Sequence, residues 1–270
     1  MPNIIYFNLS IPYWVNFRVP TAINFILSFS VPPPTTIYGL IMNSLGKFQN
    51  DYTFYDKIKI AIQINDYGQK TWDTVSYMKT ADRKSMIVKN KEIKQIQDGD
   101  QKLFEDKIRE LNENYGLSIQ EAENLINKQS SIYKSDFQGV FYTQALQCER
   151  ILNPNYKVYL LIEDDNLTDN IYASLKNPKR PLYLGQSDDF VIIKNINIIR
   201  NPKEQNLKKI STIYRGIIEN SEIVKLPEYF KKRGRTIKCF KANYSLFKGV
   251  RDLPSEEQGY IVENNYVIFN

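Results

Sequence analysis

The sequence predicts an α+β chain built on a βαββαβ domain, the order of a ferredoxin-like fold, with a long insertion in its central hairpin. Three observations carry this. Residues 57 to 65 (KIKIAIQIN) alternate strictly, Ile58, Ile60, Ile62 and Ile64 against Lys59, Ala61 and Gln63, which is the period of a strand with one buried face. Helical patterns at 35 to 45 and around 167 to 175 each lie between two strand-like runs. From about 66 to 147 the strand pattern is interrupted by helical periodicity.

Taken in order, Ile4 to Leu9 reads as the first strand and Ile23 to Phe29 as a second extended segment. Pro32, Pro33 and Pro34 cannot donate to a ladder and keep the chain extended. Thr35 or Thr36 then offers a hydroxyl as N-cap. Ile37, Leu40, Ile41, Ser44 and Leu45 set the buried face of the first helix, and Gly46 stops it. Gly39 inside that helix costs about 1 kcal/mol relative to alanine, which suggests close packing against another backbone. In the insertion, Phe104, Ile108 and Leu111 mark a helix ended by Gly116. Ser118 and Glu121 form a capping box for the next, striped by Ile119, Ala122, Leu125 and Ile126. The pair resembles a helix-turn-helix, but Glu121 and Glu123 near the second helix start would repel phosphate, so an inserted helical hairpin is the better reading. Gly139 to Gln147 and Tyr156 to Ile162 are strands joined through Asn153-Pro154. Asp165 or Thr168 caps the next helix, Asn177-Pro178 ends it, and Phe190 to Ile199 reads as a buried strand. Short strand-like pieces at 210 to 218, 223 to 226 and 236 to 240, and a hairpin turning at Asn264-Asn265, make a β-rich end. The expected division is residues 1–200 as the ferredoxin-like domain, carrying the insertion, and 201–270 as a smaller basic subdomain.

The chain has 270 residues, 42% hydrophobic and 13% aromatic, and is therefore globular. It carries +6 net charge with pI near 9.0, which favours an anionic partner such as nucleic acid. From Arg200 to Arg251 there are fourteen lysines and arginines against four glutamates, so the basicity is concentrated there. Histidine is absent, which removes the commonest general base and zinc ligand. Two cysteines, Cys148 and Cys239, show no CxxC pattern, so neither a zinc site nor a disulfide framework is expected. No signal peptide or membrane span is visible, and a reduced, cytoplasmic setting is expected. No cofactor is expected.

Several short motifs bear on function. Gly46-Lys47 has the wrong spacing for a phosphate loop, and Phe48 stands where a hydroxyl would bind magnesium. Asp164-Asp165 and Asp188-Asp189 could hold a metal through oxygen ligands, or be loop carboxylates. Phe17-Arg18, near Tyr13 and Trp14, could bind a phosphate while bases stack on rings, or be an aromatic cluster on an arginine stem. Gly185 in YLGQS gives a loop that can approach a phosphate backbone closely, or a plain turn. Lys231-Lys232-Arg233-Gly234-Arg235 could follow a nucleic-acid backbone or be a solvated turn.

Phe17-Arg18, the run Val31 to Leu40 (VPPPTTIYGL) and Tyr183 to Ser187 (YLGQS), with CERILNPNY and LKNPKRP between the last two, together resemble a pattern of the fifth family of CRISPR-associated proteins. That family is a branch of the RAMP superfamily. The resemblance spans most of the chain except residues 66 to 136. It implies an RRM/RAMP-type domain whose insertion is a thumb. It also implies a non-catalytic, RNA-binding subunit of a type I CRISPR-Cas surveillance complex, Cascade, in antiviral defense. Such a subunit caps the 5′ handle of the crRNA, abuts the backbone RAMP subunit and the large subunit, and contributes to target DNA recognition. On this reading Phe17, Arg18, Lys79, Arg83, Lys84, Arg150, Tyr183, Gly185, Gln186 and Ser187 face the RNA. Lys231, Lys232, Arg233, Arg235 and Lys238 form a nucleic-acid or partner surface. One branch of the family is a metal-independent endoribonuclease that processes precursor crRNA with Tyr, Lys and His; without histidine that constellation does not carry over intact. A free-standing RNA-binding module is the further alternative, and nothing in the sequence points to a small-molecule enzyme.

Overall fold

The computed structural model describes residues 2–20, 25–48, 51–80, 90–134, 141–186, 189–233 and 236–269. The first part of the chain forms β1 (Asn3–Ser10), β2 (Trp14–Val15), β3 (Phe25–Ile26), α1 (Pro34–Ser44), β4 (Ile58–Asp66) and β5 (Gln69–Thr80). Three helices follow, α2 (Asn90–Gln97), α3 (Gln101–Tyr115) and α4 (Ile119–Lys134). Then come β6 (Phe141–Leu152), β7 (Asn155–Ile162), α5 (Asp165–Lys176), β8 (Ile192–Arg200), β9 (Gln205–Ile210) and β10 (Tyr214–Arg215). The chain closes with β11 (Glu222–Arg233), β12 (Thr236–Leu246), β13 (Arg251–Val262) and β14 (Asn265–Val267). Two compact units result: Met1–Asp73 with Gln147–Asn270, and Thr74–Leu146.

The first unit is built on a four-stranded sheet of order β4-β7-β1-β8, every pair antiparallel. With α1 and α5 as its crossovers, this α+β arrangement is consistent with a ferredoxin-like domain. β1 and β7 are central and buried along most of their length, so they read as nearly continuous apolar runs. On one face Ile5, Phe7 and Leu9 of β1 join Val158 and Leu160 of β7, Ile62 of β4, and Ile37, Leu40 and Ile41 of α1 in the main core. The hydroxyls of Ser44 and Ser174 lie 2.9 Å apart, and these small side chains let α1 and α5 approach.

The second face of the sheet is also covered. Ile4, Tyr6, Ala61, Tyr159 and Leu161 pack with Tyr260, Val262 and Val267 of the β13–β14 hairpin. Gln63, on the polar side of β4, donates to Asn265 (3.0 Å) and accepts from the Tyr159 hydroxyl (2.6 Å). Tyr6 and Tyr159 stack at 6.2 Å, and the Lys157 ammonium lies 5.0 Å from the first ring. Glu263 accepts from Lys157 (2.5 Å) and from the Tyr6 hydroxyl (2.9 Å). The face that alternation marks as mostly polar is therefore a second, sealed core.

Local chemistry departs from the sequence reading at several points. α1 begins at Pro34 with Pro33 in the N-cap position and no side-chain cap, so neither Thr35 nor Thr36 caps it; proline at the first helical position loses no amide bond the helix would have made. Gly39 is exposed, and a Cβ there would meet no atom within 4 Å, so it answers no close packing. α5 is capped one residue earlier than expected, by Asp164, whose carboxylate accepts from the Leu167 amide at 3.0 Å. β8 is an edge strand, mostly exposed, because it pairs with β1 alone. A register shift opposite Phe7, with Asn195 at φ 52°, twists this edge and discourages pairing with another chain. The last hairpin turns at Glu263-Asn264, with φ of 46° and 64°, one residue before the expected pair.

The second unit has its own small core of Ile93, Leu111, Leu117, Ala122 and Ile126. Gly116 ends α3 in the left-handed conformation at φ 63°. The Ser118 amide donates to Glu121 (2.9 Å) and the Glu121 amide to the Ser118 hydroxyl (3.3 Å), which is the capping box. α2 is an element that hydrophobic periodicity did not reveal.

Lys157 beside Glu263 holds that carboxyl below its usual range, with Tyr6 assisting. A depressed carboxyl pKa stabilises the fold above the unfolded value of about 4.3, and that contribution is lost as pH falls through the folded value. Glu263→Gln is therefore expected to flatten the fall of thermal stability below about pH 4.3, measured by circular dichroism melts. An unchanged acid limb would remove this pair from the acid sensitivity.

Candidate nucleic-acid interface

The site grows from one buried carboxylate. Residues 181–186 and 189–190 are tied together: Tyr183 bridges Phe190, the Leu184 amide donates to the Asp189 carbonyl (3.0 Å), and the Asp189 amide to that of Gln186 (3.1 Å). Asp189 itself is fully buried. One carboxylate oxygen accepts from the amides of Asn16 (3.1 Å) and Gln186 (3.2 Å), and the other lies 3.7 Å from the Arg150 guanidinium. Arg150 also donates to Asp73 at 3.0 Å and lies 5.3 Å over the Trp14 ring. Gly185 sits at φ +100°, and a Cβ there would be 2.7 Å from the Asn16 carbonyl oxygen. Only glycine lets the loop lie against this backbone.

The same network fixes the Phe17-Arg18 segment. The Asn16 side chain donates to the Glu149 carbonyl at 2.6 Å. The Phe17 amide donates to the Ser28 hydroxyl (2.9 Å), and the Ser28 amide to the Glu149 carboxylate (2.8 Å), which Lys70 approaches at 3.2 Å. Phe17 is only 2% exposed and packs edge-on to Tyr156. Its ring belongs to the core, which corrects the expectation of a base-stacking contact there. Arg18, on the next residue, is exposed, and among the described residues no carboxylate lies in ion-pair range of it.

Beside the loop lies a groove of about 280 Å³. Gly185 and Tyr183 form one wall, Thr36, Gly39 and Asn43 of α1 another. Lys47, Phe48, Tyr52, Arg180 and Phe230 complete it. The α1 terminus is tied to the loop: the Lys179 amide donates to the Ser44 carbonyl (2.9 Å) and the Asn43 side chain to that of Pro181 (2.7 Å). Arg180 donates to the Lys47 carbonyl (3.0 Å) and lies 6.0 Å over the Phe48 ring, which is 82% exposed. Exposed cations beside an exposed ring are what single-stranded nucleic acid uses, phosphate on the charge and base on the ring face.

Proton transfer is not what these groups are tuned for. Burial pushes the Tyr38 hydroxyl up to about 12 and raises that of Tyr52. Near neutral pH both are hydrogen-bond donors and not bases. Asp51 is held below its usual range, chiefly by the Thr53 hydroxyl, and stays ionised. Among the described residues no cluster of carboxylates and cysteines has metal-binding geometry, and no helix is long and apolar enough to cross a membrane.

No family model and no curated protein matches this sequence. The chain is similar to several solved structures. One is titled a CRISPR RNA-guided surveillance complex, with 10% identity, TM-score 0.49, and coverage of 94% of this chain and 91% of that one. Another is a CRISPR protein from Archaeoglobus fulgidus, with 10% identity, TM-score 0.46, and coverage of 100% and 99%. A third is a Cas protein, with 11% identity, TM-score 0.43, and 94% of each chain covered. The residues themselves carry the functional reading.

Of the residues the sequence singles out, Tyr183 and Gly185 line the groove, and Gln186 lies within the loop and donates its amide to Asp189. Arg150 is committed to Asp73, Asp189 and Trp14, and so positions the loop instead of meeting a phosphate. Lys79 lies on β5, and Lys231, Lys232, Arg233 and Lys238 lie on β11 and β12. Arg83, Lys84, Ser187, Asp188, Gly234 and Arg235 lie outside the described residues. Lys47, Phe48 and Arg180 escaped the sequence reading as ligand contacts. In sequence, Gly46-Lys47-Phe48 stands out only as a mis-spaced phosphate loop, and Arg180 only as part of LKNPKRP.

Gly185→Ala is expected to destabilise the unit by about 1–3 kcal/mol, from a strained backbone conformation and collision with the Asn16 carbonyl. Gly39→Ala, on the other wall, should stabilise it by up to about 1 kcal/mol, since the added methyl meets open space and favours the helix. Chemical denaturation of both variants checks the pair. Equal effects of one sign would contradict this account of the groove walls.

Proposed function

We propose that this chain is a non-catalytic, RNA-binding subunit of a type I CRISPR surveillance complex, seated on the 5′ handle of the crRNA. The observation that carries the reading is the convergence of the Gly185 loop, Tyr183, Lys47, Phe48 and Arg180 on one groove, next to a segment that presents Arg18. These include the motif residues on which the family resemblance rests. RNA-recognition domains read bases on the open face of their sheet. Here β13 and β14 occupy that face, so the groove and loop are the surface left for RNA.

In this reading the unit Thr74–Leu146 is the thumb, set against the guide backbone and the neighbouring backbone RAMP subunit, with Lys79 on β5 at its entry. Residues 201–270 form the basic subdomain. The large subunit and target DNA are the remaining partners.

The test is recovery of RNA with the protein. A guide-sized RNA should co-purify with the chain and the filament subunits. Arg18→Ala should weaken binding of a synthetic handle by about 1–3 kcal/mol, and Gly39→Glu, which puts a carboxylate into the groove, should weaken it further. Both are measured by fluorescence anisotropy on protein shown to be folded. Unchanged handle affinity in both variants would refute the groove as the RNA site. Site-specific cleavage of repeat RNA in EDTA would replace this reading with the endoribonuclease.

A further inference from the structure

The β11–β12 hairpin is a ribbon whose far half, among the described residues, pairs only within the hairpin. β10 meets β12 only at Tyr244 and Ser245. Beyond the bulge between Pro227 and Tyr229, the ladder runs Tyr229↔Phe240, Phe230↔Cys239, Lys231↔Lys238, Lys232↔Ile237 and Arg233↔Thr236. Its near half is anchored in the main core through Leu226, Tyr244 and Leu246. Along the core-facing side the residues turn from apolar to aromatic, Tyr229 stacked on Phe240 at 4.5 Å, and then to the Lys231–Lys238 pair.

That pair is the informative feature. Lysines directly opposite on adjacent strands repel and destabilise a ribbon. Both are exposed, and among the described residues no carboxylate lies in ion-pair range of either, or of Lys241. Between Tyr229 and Arg251 the sequence has eight lysines and arginines and no acidic residue. The Lys238 ammonium lies 5.9 Å from the Phe240 ring, and the pair's charge is left for an anion from outside to compensate.

We infer that the β11–β12 ribbon is a duplex-DNA-binding arm that lays its paired lysines along the phosphates of a double helix, on the opposite face of β11 from Phe230, which lines the RNA groove. Two points favour a duplex over a single strand. Tyr229 is stacked on Phe240, so one face of each of these two rings is already taken within the protein. A two-stranded ribbon is of a size that the DNA major groove admits. The inference deepens the target-DNA part of the proposed function and stands without the guide-RNA part.

The test uses the full chain, a 20-base-pair duplex, the same sequence as single strand, and the synthetic RNA handle. Lys231→Glu places a carboxylate opposite Lys238, which converts repulsion into attraction, so the ribbon is not weakened by the change. The wild-type chain should bind unrelated duplexes alike, with an affinity that falls steeply with salt. Lys231→Glu should lower the slope of log affinity against log salt by about 2, one for the lost lysine and one for its neutralised neighbour, and Lys231→Gln by about 1. Handle affinity should not change, while Gly39→Glu should affect the handle and spare the duplex. The inference is overturned if the folded wild-type chain binds no duplex, if the slope is unmoved in both lysine variants, or if their loss falls on single strands instead.

Discussion

The buried carboxylate of Asp189 is the contact on which the functional surface depends. It accepts amides from Asn16 and Gln186 and faces Arg150, joining segments 173 residues apart. A carboxylate removed from water must be compensated locally. The two amides and the guanidinium do so, and in doing so fix the geometry of everything nearby. Arg150 is held in turn by Asp73 and Trp14. Removing the guanidinium would leave the Asp189 carboxylate buried without its counter-charge, so the loop and the Asn16 segment both depend on Arg150.

The second governing feature is that the sheet is buried twice. α1 and α5 cover one face and the β13–β14 hairpin covers the other. The stacked pair Tyr6 and Tyr159 with Lys157 above it has the ingredients of a base-stacking platform. Both rings are under 10% exposed, and their hydroxyls are spent on Glu263 and Gln63. Chemistry that would serve recognition on an open sheet here serves stability, and the recognition we propose falls to a helix end, a loop and a ribbon.

Much of this architecture is legible from local pattern. The isoleucine alternation of β4, the capping box at Ser118 and the glycine stop at Gly116 are decided by neighbours in sequence, and each forms where the pattern places it. What escapes is decided by distant neighbours. Ala61 and Gln63 read as a solvent face because nothing nearby reveals that Val262, Asn265 and Val267 will cover them. Phe17 and Arg150 look like ligand contacts because their partners, Tyr156 and Asp189, are remote. The groove is the extreme case: Arg180 and Lys47 meet across 133 residues, and neither carries a motif of its own. Thr35 and Thr36 fail as caps for a local reason, since Pro34 already starts the helix.

The central place of β1 bears on how the molecule is made. Its two neighbours, β7 and β8, pair with it from positions such as Tyr159 and Asn197, so both ladders await most of the chain. Until β7 arrives, Ile4, Ile5, Phe7 and Leu9 form an apolar strand without that partner. Such segments are hazards for self-association. Contacts this remote also slow folding, because loop closure precedes their reward. The helical unit in between closes on near neighbours and is free to form first. Synthesis of this protein therefore has a vulnerable interval, bounded by the appearance of one strand and the arrival of its partner.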